Sequence, residues 1–329
     1  MRDALRQRAY TKIICGLSMR DPGVVRKIAT LYTLAGATVI DVALDPAIVG
    51  AAIGGIQDAR AIDAAVAQPA VMVSHGLASD PHIGAALLHP SICATCDCCV
   101  IEELRLCAER PLPERAPECP SCMKCLDACP HGALRFAPAI ASPASAIADA
   151  IAAGASAVEL HVAGATIEAT DKLYRAIEPG LQDDTLVSLS IGAQVEGDAG
   201  VLDKARWAAT LDRPVVLQVE GKPMHGDRGD RPDAATIHAC RHLLAKDVKL
   251  PLQLAGGTGQ GTRQRAFDAG VAAHGIGFGT AARLAVNESL ATTMSGPTTA
   301  WGPGNATFDR SLAAAKTLVN AAQPIPSAP

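Results

Sequence analysis

Short, almost continuously apolar runs recur along the chain and alternate with alanine-rich segments. Continuous rather than alternating hydrophobicity is typical of strands that are buried on both faces. The pattern predicts eight strands, at Lys12–Leu17, Thr38–Leu44, Ala70–Ser74, Ala157–Val162, Leu186–Ile191, Pro214–Val219, Leu250–Ala255 and Gly275–Gly279. Helical segments follow most of them, for example Pro22–Ala35, Ala144–Ala153 and Asp233–Ala245. Alternating strands and helices predict a parallel sheet, and eight such units favour an α/β fold of the (β/α)8 TIM-like barrel type. An open doubly wound sheet has the same local pattern and is the alternative.

A cysteine-rich stretch interrupts this alternation after the third predicted strand. In a barrel, the loop after a strand lies at the carboxyl-end face, where active sites are built. We therefore predict a barrel from residues 1–88 and 137–294, with a cysteine-rich insertion at 89–136 in the third βα loop. Residues 295–329 are predicted to be a C-terminal tail with one short helix, Ser311–Ala321, that packs outside the barrel.

All the cysteines except Cys15 and Cys240 lie between Cys93 and Cys129. The second half reads Cys119-Pro-Ser-Cys122-Met-Lys-Cys125-Leu-Asp-Ala-Cys129-Pro130, which is the C-x2-C-x2-C-x3-C-P run of bacterial ferredoxins. The first half supplies a second C-x2-C-x2-C run, with one extra cysteine, Cys98, and a more distant one. In two-cluster ferredoxins the fourth cysteine of a run ligates the other cluster. The insertion at 89–136 is therefore predicted to be a ferredoxin-like iron–sulfur domain with two [4Fe–4S] clusters. One cluster is held by Cys93, Cys96, Cys99 and Cys129, the other by Cys119, Cys122, Cys125 and Cys107.

Zinc sites use paired C-x2-C units and disulfide frameworks belong to small secreted chains, so neither explains these runs. Whether Cys98 replaces a neighbouring ligand stays open. Cys15 and Cys240 lie far from the cysteine block, and we expect both to be buried as small hydrophobic side chains.

Two glycine- and threonine-rich loops follow the seventh and eighth predicted strands. Barrels often bind phosphate at these loops, because glycines let backbone N–H groups approach the oxygens and threonines add hydroxyl donors. The predicted cofactor-binding residues are Gly256, Gly257, Thr258, Gly277, Gly279 and Thr280. FMN, a sugar phosphate and a nucleotide all fit such a site. Glycines that only permit tight turns are the alternative.

Polar residues at the carboxyl ends of barrel strands are candidates for catalysis. Glu159 and His161 share one face of a strand and predict an acid/base pair. Asp41 stands toward the carboxyl end of the second predicted strand, and Lys222 lies in a polar loop after the sixth. Lys222 is interpreted as a phosphate partner, a Schiff-base amine or a proton donor. A satisfied polar layer and a solvated loop lysine are the structural alternatives. Further candidates at strand ends are Asp45, Ser74, His75, Ser190 and Gln218.

Composition narrows the classes of function. The 329 residues are 49% hydrophobic but only 3% aromatic, so the core must consist mainly of aliphatic side chains. A net charge of −4 without a basic run argues against a nucleic-acid partner. No apolar stretch is long enough for a membrane span, and the charged N-terminus has no signal segment. Reduced, metal-binding cysteines then indicate the cytoplasm.

Several segments resemble one known family, the light-dependent-period (LdpA) proteins of the cyanobacterial circadian clock. They are Lys12-Ile-Ile-Cys-Gly-Leu-Ser, Tyr32-Thr-Leu-Ala-Gly-Ala, Ile40-Asp-Val-Ala, Asp45-Pro, Gly221-Lys-Pro-Met with Gly-Asp227, and Gln253-Leu-Ala-Gly-Gly-Thr258, together with the cysteine block. The resemblance implies that this chain binds iron–sulfur clusters and has a redox role, because the family's proteins are iron–sulfur proteins that relay cellular redox state. The first cysteine run departs from the family's arrangement at Cys98 and lacks a proline after Cys107. The Ala-Gly-Ala-x-x-Ile-Asp-Val element is also similar to phosphate-handling barrels that use a lysine for aldol-type chemistry.

Three functions remain open. The first is a redox enzyme, in which clusters deliver electrons to a phosphorylated ligand or flavin at the barrel mouth. The second is a non-catalytic redox sensor or electron-transfer partner of the LdpA type. The third is a lyase or synthase that acts on a phosphorylated small molecule through a lysine, with structural clusters. The first two require a redox partner protein or electron donor.

Overall fold

The computed structural model describes residues 1–16, 19–77, 85–88, 91–92, 94, 128–137, 143–221, 232–291 and 301–325. Its strands are β1 Tyr10–Ile14, β2 Val39–Ala43, β3 Ala70–Gly76, β4 Ala85–Leu88, β5 Leu134–Ala137, β6 Ala157–His161, β7 Leu186–Gly192, β8 Val215–Glu220, β9 Leu252–Ala255 and β10 Gly275–Phe278. Its helices are α1 Arg2–Arg6, α2 Pro22–Leu34, α3 Pro46–Ile62, α4 Pro143–Ala152, α5 Ile167–Ile177, α6 Ala193–Ala208, α7 Ala234–Ala245, α8 Thr262–Asp268, α9 Thr280–Ala285, α10 Asn287–Ala291 and α11 Ala306–Asn320.

Eight parallel strands close into a barrel in the order β1, β2, β3, β6, β7, β8, β9, β10. Closure is made by β1, which pairs with β2 on one side and β10 on the other, so that Lys12 stands beside both Val39 and Gly277. The predicted (β/α)8 barrel is therefore confirmed, and the open sheet is excluded. Each predicted apolar run corresponds to one barrel strand, although β1 begins at Tyr10, two residues before the predicted start.

The remaining strands, β4 and β5, form a separate two-stranded antiparallel sheet. Both lie between β3 and α4, in the third βα connection. Ala85 pairs with Ala137 and Leu88 with Leu134. After β3 the chain runs outward along β4 and later returns along β5, which is paired with β4. Most of the predicted insertion, including every predicted cluster ligand except Cys129, lies outside the described residues.

Local sequence signals fix the first helices. Asp21 caps α2 by accepting hydrogen bonds from the backbone N–H groups of Gly23 (2.8 Å) and Val24 (3.0 Å), and Pro22 occupies the first turn. Gly55 brings α3 close to α2, because a Cβ at this position would overlap the carbonyl oxygen of Arg26.

The barrel interior begins with an apolar layer at the amino ends of the strands. One residue from each of six strands contributes, namely Tyr10, Val39, Met72, Ala157, Leu186 and Val216. Leu5 of α1 packs against this layer and is itself only 5% exposed. The amino-end side of the barrel is therefore filled by hydrophobic side chains. A second, larger core lies between the outer faces of the strands and the helices.

The last helix, α11, packs against the outside of the barrel through Phe308, Ala315 and Leu318. It begins at Ala306, five residues before the predicted start, because the Asn305 side chain caps it by accepting from the N–H groups of Thr307 and Phe308. The Arg263 guanidinium donates to the carbonyl oxygen of Ala322 (2.7 and 2.9 Å) and anchors the end of this helix. No helix among the described residues is long and apolar enough to cross a membrane.

Candidate functional site

A polar layer lies directly above the apolar one, toward the carboxyl ends of the strands. Because side chains on one face of a strand recur every second residue, each residue of the apolar layer is followed two positions later by one that points into the barrel. These residues are Lys12, Asp41, Ser74, Glu159, Ser188 and Gln218, and all are 4% exposed or less. The barrel thus changes from hydrophobic to ionic within one layer.

Lys12 is the centre of this layer and is fully buried. Its Nζ forms ion pairs with Glu159 and with Oδ2 of Asp41 (3.1 Å), and it donates to Oε1 of Gln218 (2.9 Å). Burial disfavours the ammonium form, but the two carboxylates outweigh it and raise the pKa of Lys12. The amine therefore stays protonated near neutral pH, which is unsuited to nucleophilic attack.

The two carboxylates respond differently to the same burial. Burial raises the pKa of Asp41 to about 6, against the opposing attraction of Lys12. For Glu159, the penalty of burial is outweighed by Lys12 and by His161, and its pKa is lowered. Glu159 is consequently the permanent anion of the layer, while Asp41 is the carboxylate that protonates first on acidification.

Hydroxyl and amide groups complete the layer. Ser74 donates to Oδ1 of Asp41 (2.5 Å), and Ser188 donates to Oε2 of Glu159 (2.8 Å). Gln218 Nε2 donates to Oε1 of Glu159 at 3.0 Å, and Gln253 Nε2 donates to Oε1 of Gln218 at 2.7 Å. Each of these hydrogen bonds pairs a charged or polar atom that would otherwise be buried without a partner.

A third layer, one further step toward the barrel mouth, contains His161 and Glu220. His161 Nε2 lies 2.8 Å from Oε1 of Glu159, and Oε1 of Glu220 accepts from Gln218 Nε2 at 3.1 Å. His75, at the end of β3, is 7% exposed, and burial together with His161 lowers its pKa to about 4. Its ring is therefore neutral near neutral pH.

The predicted catalytic set is thus divided. Glu159, His161 and Asp41 come together around Lys12, whereas Lys222 lies outside the described residues. Asp45, a weaker candidate, caps α3 instead: Oδ1 accepts from the N–H of Ala47. Oδ2 of Asp45 also pairs with Arg20 at 3.0 Å.

The loops predicted to bind phosphate lie side by side at the mouth. The Thr258 hydroxyl donates to the carbonyl oxygen of Gly277 and joins the two loops. Gly256 and Gly257 have φ values of 71° and 78°, and a Cβ at Gly257 would overlap the carbonyl group of Pro232. A Cβ at Gly277 would overlap the amide of Gln253. Glycines 257 and 277 therefore have packing roles that do not require an anion.

A cation that the sequence did not single out lies beside the last of these loops. Arg283 Nη1 donates to the carbonyl oxygens of Ile14 and Cys15, both at 3.1 Å, and Nη2 lies 3.4 Å from the Thr280 hydroxyl. The guanidinium thus sits at the carboxyl end of β1, close to Gly279.

Sequence reasoning also missed Lys12, Ser188, Gln253 and Glu220 as members of the site. One signal was present: Lys12 is the only charged residue in β1, as Glu159 is in β6. A lone charge in a strand that is buried on both faces requires a partner. Cys15 and Cys240, as predicted, are buried, and burial raises the pKa of each thiol to about 12.

Fold and site together define a (β/α)8 barrel protein with an ionic cluster of Lys12, Asp41 and Glu159 in its interior. The chain belongs to the light-dependent-period family: the family model described as "Light dependent period A C-terminal domain" matches residues 151–321. The resemblance seen in the sequence is therefore confirmed. A relative from Synechococcus elongatus, "Light dependent period A", is 28% identical over 265 residues, which cover 78% of this chain and 73% of that protein.

Among solved structures, the chain is similar to a (S)-3-O-geranylgeranylglyceryl phosphate synthase from Thermoplasma acidophilum, crystallised with sn-glycerol-1-phosphate. The TM-score is 0.46 at 12% identity, and the match covers 97% of each chain.

Proposed function

We propose that this chain is an iron–sulfur redox protein of the LdpA type. Two [4Fe–4S] clusters on the cysteine segment pass electrons to, or sense redox state at, the mouth of the barrel. One cluster takes Cys93, Cys96, Cys99 and Cys129, and the other takes Cys119, Cys122, Cys125 and Cys107. The family membership and the ferredoxin spacing of the second run support this assignment.

The pairing of β4 with β5 is the structural observation that carries the proposal. Leu88 and Leu134 are opposite each other. Cys93 follows Leu88 by five residues, and Cys129 precedes Leu134 by five residues. Five residues reach at most roughly 17 Å, so both cysteines start from one point and can reach one cluster. They are also the two cysteines that crossed ligation assigns to the same cluster.

Cys129 fits the role of a thiolate ligand. It is half-buried and belongs to no disulfide. Its carbonyl oxygen accepts from the N–H of Gly132, whose φ of 60° turns the chain back toward β5. A ligand at this turn lies five residues before Leu134, the first residue of β5, so the strand limits how far it can move. The clusters would supply one-electron transfer, while the barrel supplies a rigid support.

Iron analysis of three proteins tests the assignment. Anaerobically purified wild type should contain about eight irons per chain with matching sulfide, and reduction should produce the EPR signals of [4Fe–4S]+ clusters. Cys122→Ser should lose about four irons, because one of the four thiolates of a cluster is gone. Cys98→Ser is the matched control, since it removes a neighbouring cysteine that the assignment leaves unused. An iron-free wild type, or equal loss in both variants, would contradict the assignment.

Flavin content of the same samples separates a reductase from a sensor. Bound flavin would indicate turnover, because a flavin joins one-electron clusters to two-electron substrates. Eight irons without flavin would favour a non-catalytic sensor or electron-transfer partner. A phosphorylated ligand at the Gly256–Thr258 and Gly279–Thr280 loops stays a proposal. Arg283 supports it as a nearby cation, and Arg283→Met should weaken binding of inorganic phosphate relative to the exposed Arg310→Met.

Turnover in the barrel is the second candidate, and the buried ionic cluster favours it. Charged groups in a core cost stability, and they persist where they have another use. Lys12 itself is unsuited to a Schiff base, because it is protonated and ion-paired. A lyase mechanism would then rest on Lys222. Borohydride trapping with a phosphorylated aldehyde should label wild type but not Lys222→Met, and no label in either would exclude that mechanism.

A further inference from the structure

We propose that Glu159, His161 and Glu220 form a binding site for a first-row divalent metal ion, separate from the cysteine segment. The site lies inside the barrel, just below the mouth. It goes beyond the iron–sulfur function, because none of its ligands is a cysteine and all of them belong to barrel strands.

The geometry of the three residues suits a shared ion. Glu159 and His161 lie two residues apart on β6, and Glu220 is on β8, two strands away. One ligand atom from each residue can be chosen so that all three lie within 4.8 Å of one another. Glu159 and His161 are buried and Glu220 is half-buried, so the side chains are held in position by the barrel rather than by solvent.

The charge balance of the barrel interior independently favours a cation. Asp41, Glu159 and Glu220 bring three carboxylates to the polar layers, whereas Lys12 is the only lysine or arginine that the structure describes in contact with them. Excess negative charge in a core is costly unless a cation compensates it. Lys12 contacts one oxygen of Glu159, Oε2, and leaves Oε1 directed toward His161.

The buried hydroxyl of Ser190 is a second, independent observation in favour of the site. Ser190 lies on β7, between the strands that carry His161 and Glu220, and it is paired in register with His161. By the two-residue period from Leu186 and Ser188, its side chain points into the barrel in the same layer. Its hydroxyl is fully buried and has no hydrogen-bond partner among the described residues. A buried hydroxyl that no described residue contacts is available to bind a further group in this layer.

The hydrogen bonds of Gln218 indicate that positive charge is favoured between Glu159 and Glu220. Gln218 Nε2 donates to Oε1 of Glu159 (3.0 Å) and to Oε1 of Glu220 (3.1 Å), so one amide group joins the two carboxylates. An ion between them would replace this neutral donor with a full charge. Two carboxylates and one imidazole are a mixed oxygen and nitrogen donor set, which suits Mn²⁺ or Zn²⁺ better than the all-oxygen preference of Ca²⁺.

Three protein ligands leave coordination positions free, as in catalytic metal sites. Such an ion would be reached from the mouth, because the opposite side of the barrel is filled by the apolar layer.

Titration with Mn²⁺ tests the site on the intact protein. Oxidised [4Fe–4S] clusters are EPR-silent, so the six-line signal of free Mn²⁺ measures binding to the anaerobically purified, oxidised chain. Wild type should bind one Mn²⁺ per chain tightly. Glu220→Gln and His161→Gln should each weaken binding at least about tenfold, by analogy with losses at other metal sites. Glu288→Gln, which changes an exposed carboxylate, is the control and should bind as wild type does.

Glu220→Gln is the principal variant, because its half-buried side chain makes a folding defect less severe than a change at Glu159. Iron content, measured on the same samples, should be equal in all four proteins. Absence of a tight site in wild type, or equal affinity in Glu220→Gln and wild type, would overturn the proposal. Mn²⁺ binding in a wild type without iron would support this site and contradict the iron–sulfur function, so the two proposals fail separately.

Discussion

Replacing Lys12 by Met is the most direct test of the ionic cluster. Methionine has a similar length but no charge, so the change removes the cation from between Asp41 and Glu159 without opening a large cavity. The carboxylates are then buried without their shared partner. The expected result is a large loss of stability.

The size of that loss follows from the burial of the groups. Removing one partner of a buried ion pair costs about 3–5 kcal/mol, because an uncompensated charge stays in the core. Asp41 reduces the cost by taking up a proton, since burial has already raised its pKa to about 6. Unfolding entropy of about 2.1 cal/mol/K per residue gives roughly 0.7 kcal/mol per degree for a chain of this length. We therefore expect the melting temperature to fall by about 4–7 °C.

Thermal unfolding at pH 7, followed by tryptophan fluorescence under anaerobic conditions and at one scan rate, measures this effect. Lys249→Met is the matched control: its ion pair with Asp247 is about 80% exposed, and such pairs contribute at most about 1 kcal/mol. Glu159→Gln should be milder than Lys12→Met, because Lys12 keeps Asp41 as a partner.

The double variant Lys12→Met/Glu159→Gln tests whether the stability contributions of Lys12 and Glu159 are coupled. Both charges of the tightest pair are then gone, and the protein should be more stable than Lys12→Met alone. A coupling energy of about 1–3 kcal/mol is expected for residues in one buried network. If Lys12→Met costs no more than Lys249→Met, or if the double variant loses the sum of the single losses, the ionic cluster does not have the energetics described.

Two further predictions concern His75 and Gly277. Because the folded-state pKa of His75 is lowered from 6.5 to about 4, its contribution to stability is present above about pH 6.5 and is lost as the pH falls through 4. The stability of wild type relative to His75→Gln should therefore decrease by about 3 kcal/mol from pH 6.5 to 4 in chemical denaturation, and a constant difference would contradict the shift. Gly277→Ala should cost about 1–3 kcal/mol, because its Cβ would displace the Gln253 amide, whereas a Cβ at Gly259 meets open space. Equal melting temperatures for Gly277→Ala and Gly259→Ala would show that the packing role is absent.

The barrel could be predicted from the sequence because its signal is local. Each strand is a short apolar run, and the turn after α2 is marked by Gly36, whose φ is 88°. The pattern of polar residues at strand ends also predicted that Asp41, Glu159 and His161 lie near one another, which their contacts show. That inference needed only the rule that the carboxyl ends of parallel strands meet on one face.

The organisation of the site could not be predicted, because it depends on which strands face each other across a closed barrel. Lys12 and Glu159 are 147 residues apart, and no local pattern relates them. The glycine loops show a similar limit. Gly277 belongs to a loop with the composition of an anion-binding loop, but its lack of a side chain also makes room for Gln253. Composition alone does not distinguish the two roles. Shape complementarity between distant residues decides such positions.

The antiparallel pairing of β4 with β5 also determines how freely the segment between them can change in length. Leu88 and Leu134 are neighbours across the sheet, so the 45 residues between them begin and end at almost the same point. Closing a loop whose ends already meet costs little more when the loop grows, since each doubling of length adds only about 0.6 kcal/mol. The barrel can therefore carry a long or a short excursion here at nearly the same conformational entropy. Insertions or deletions between Leu88 and Leu134 should be tolerated by the barrel far better than equal changes within its βα units.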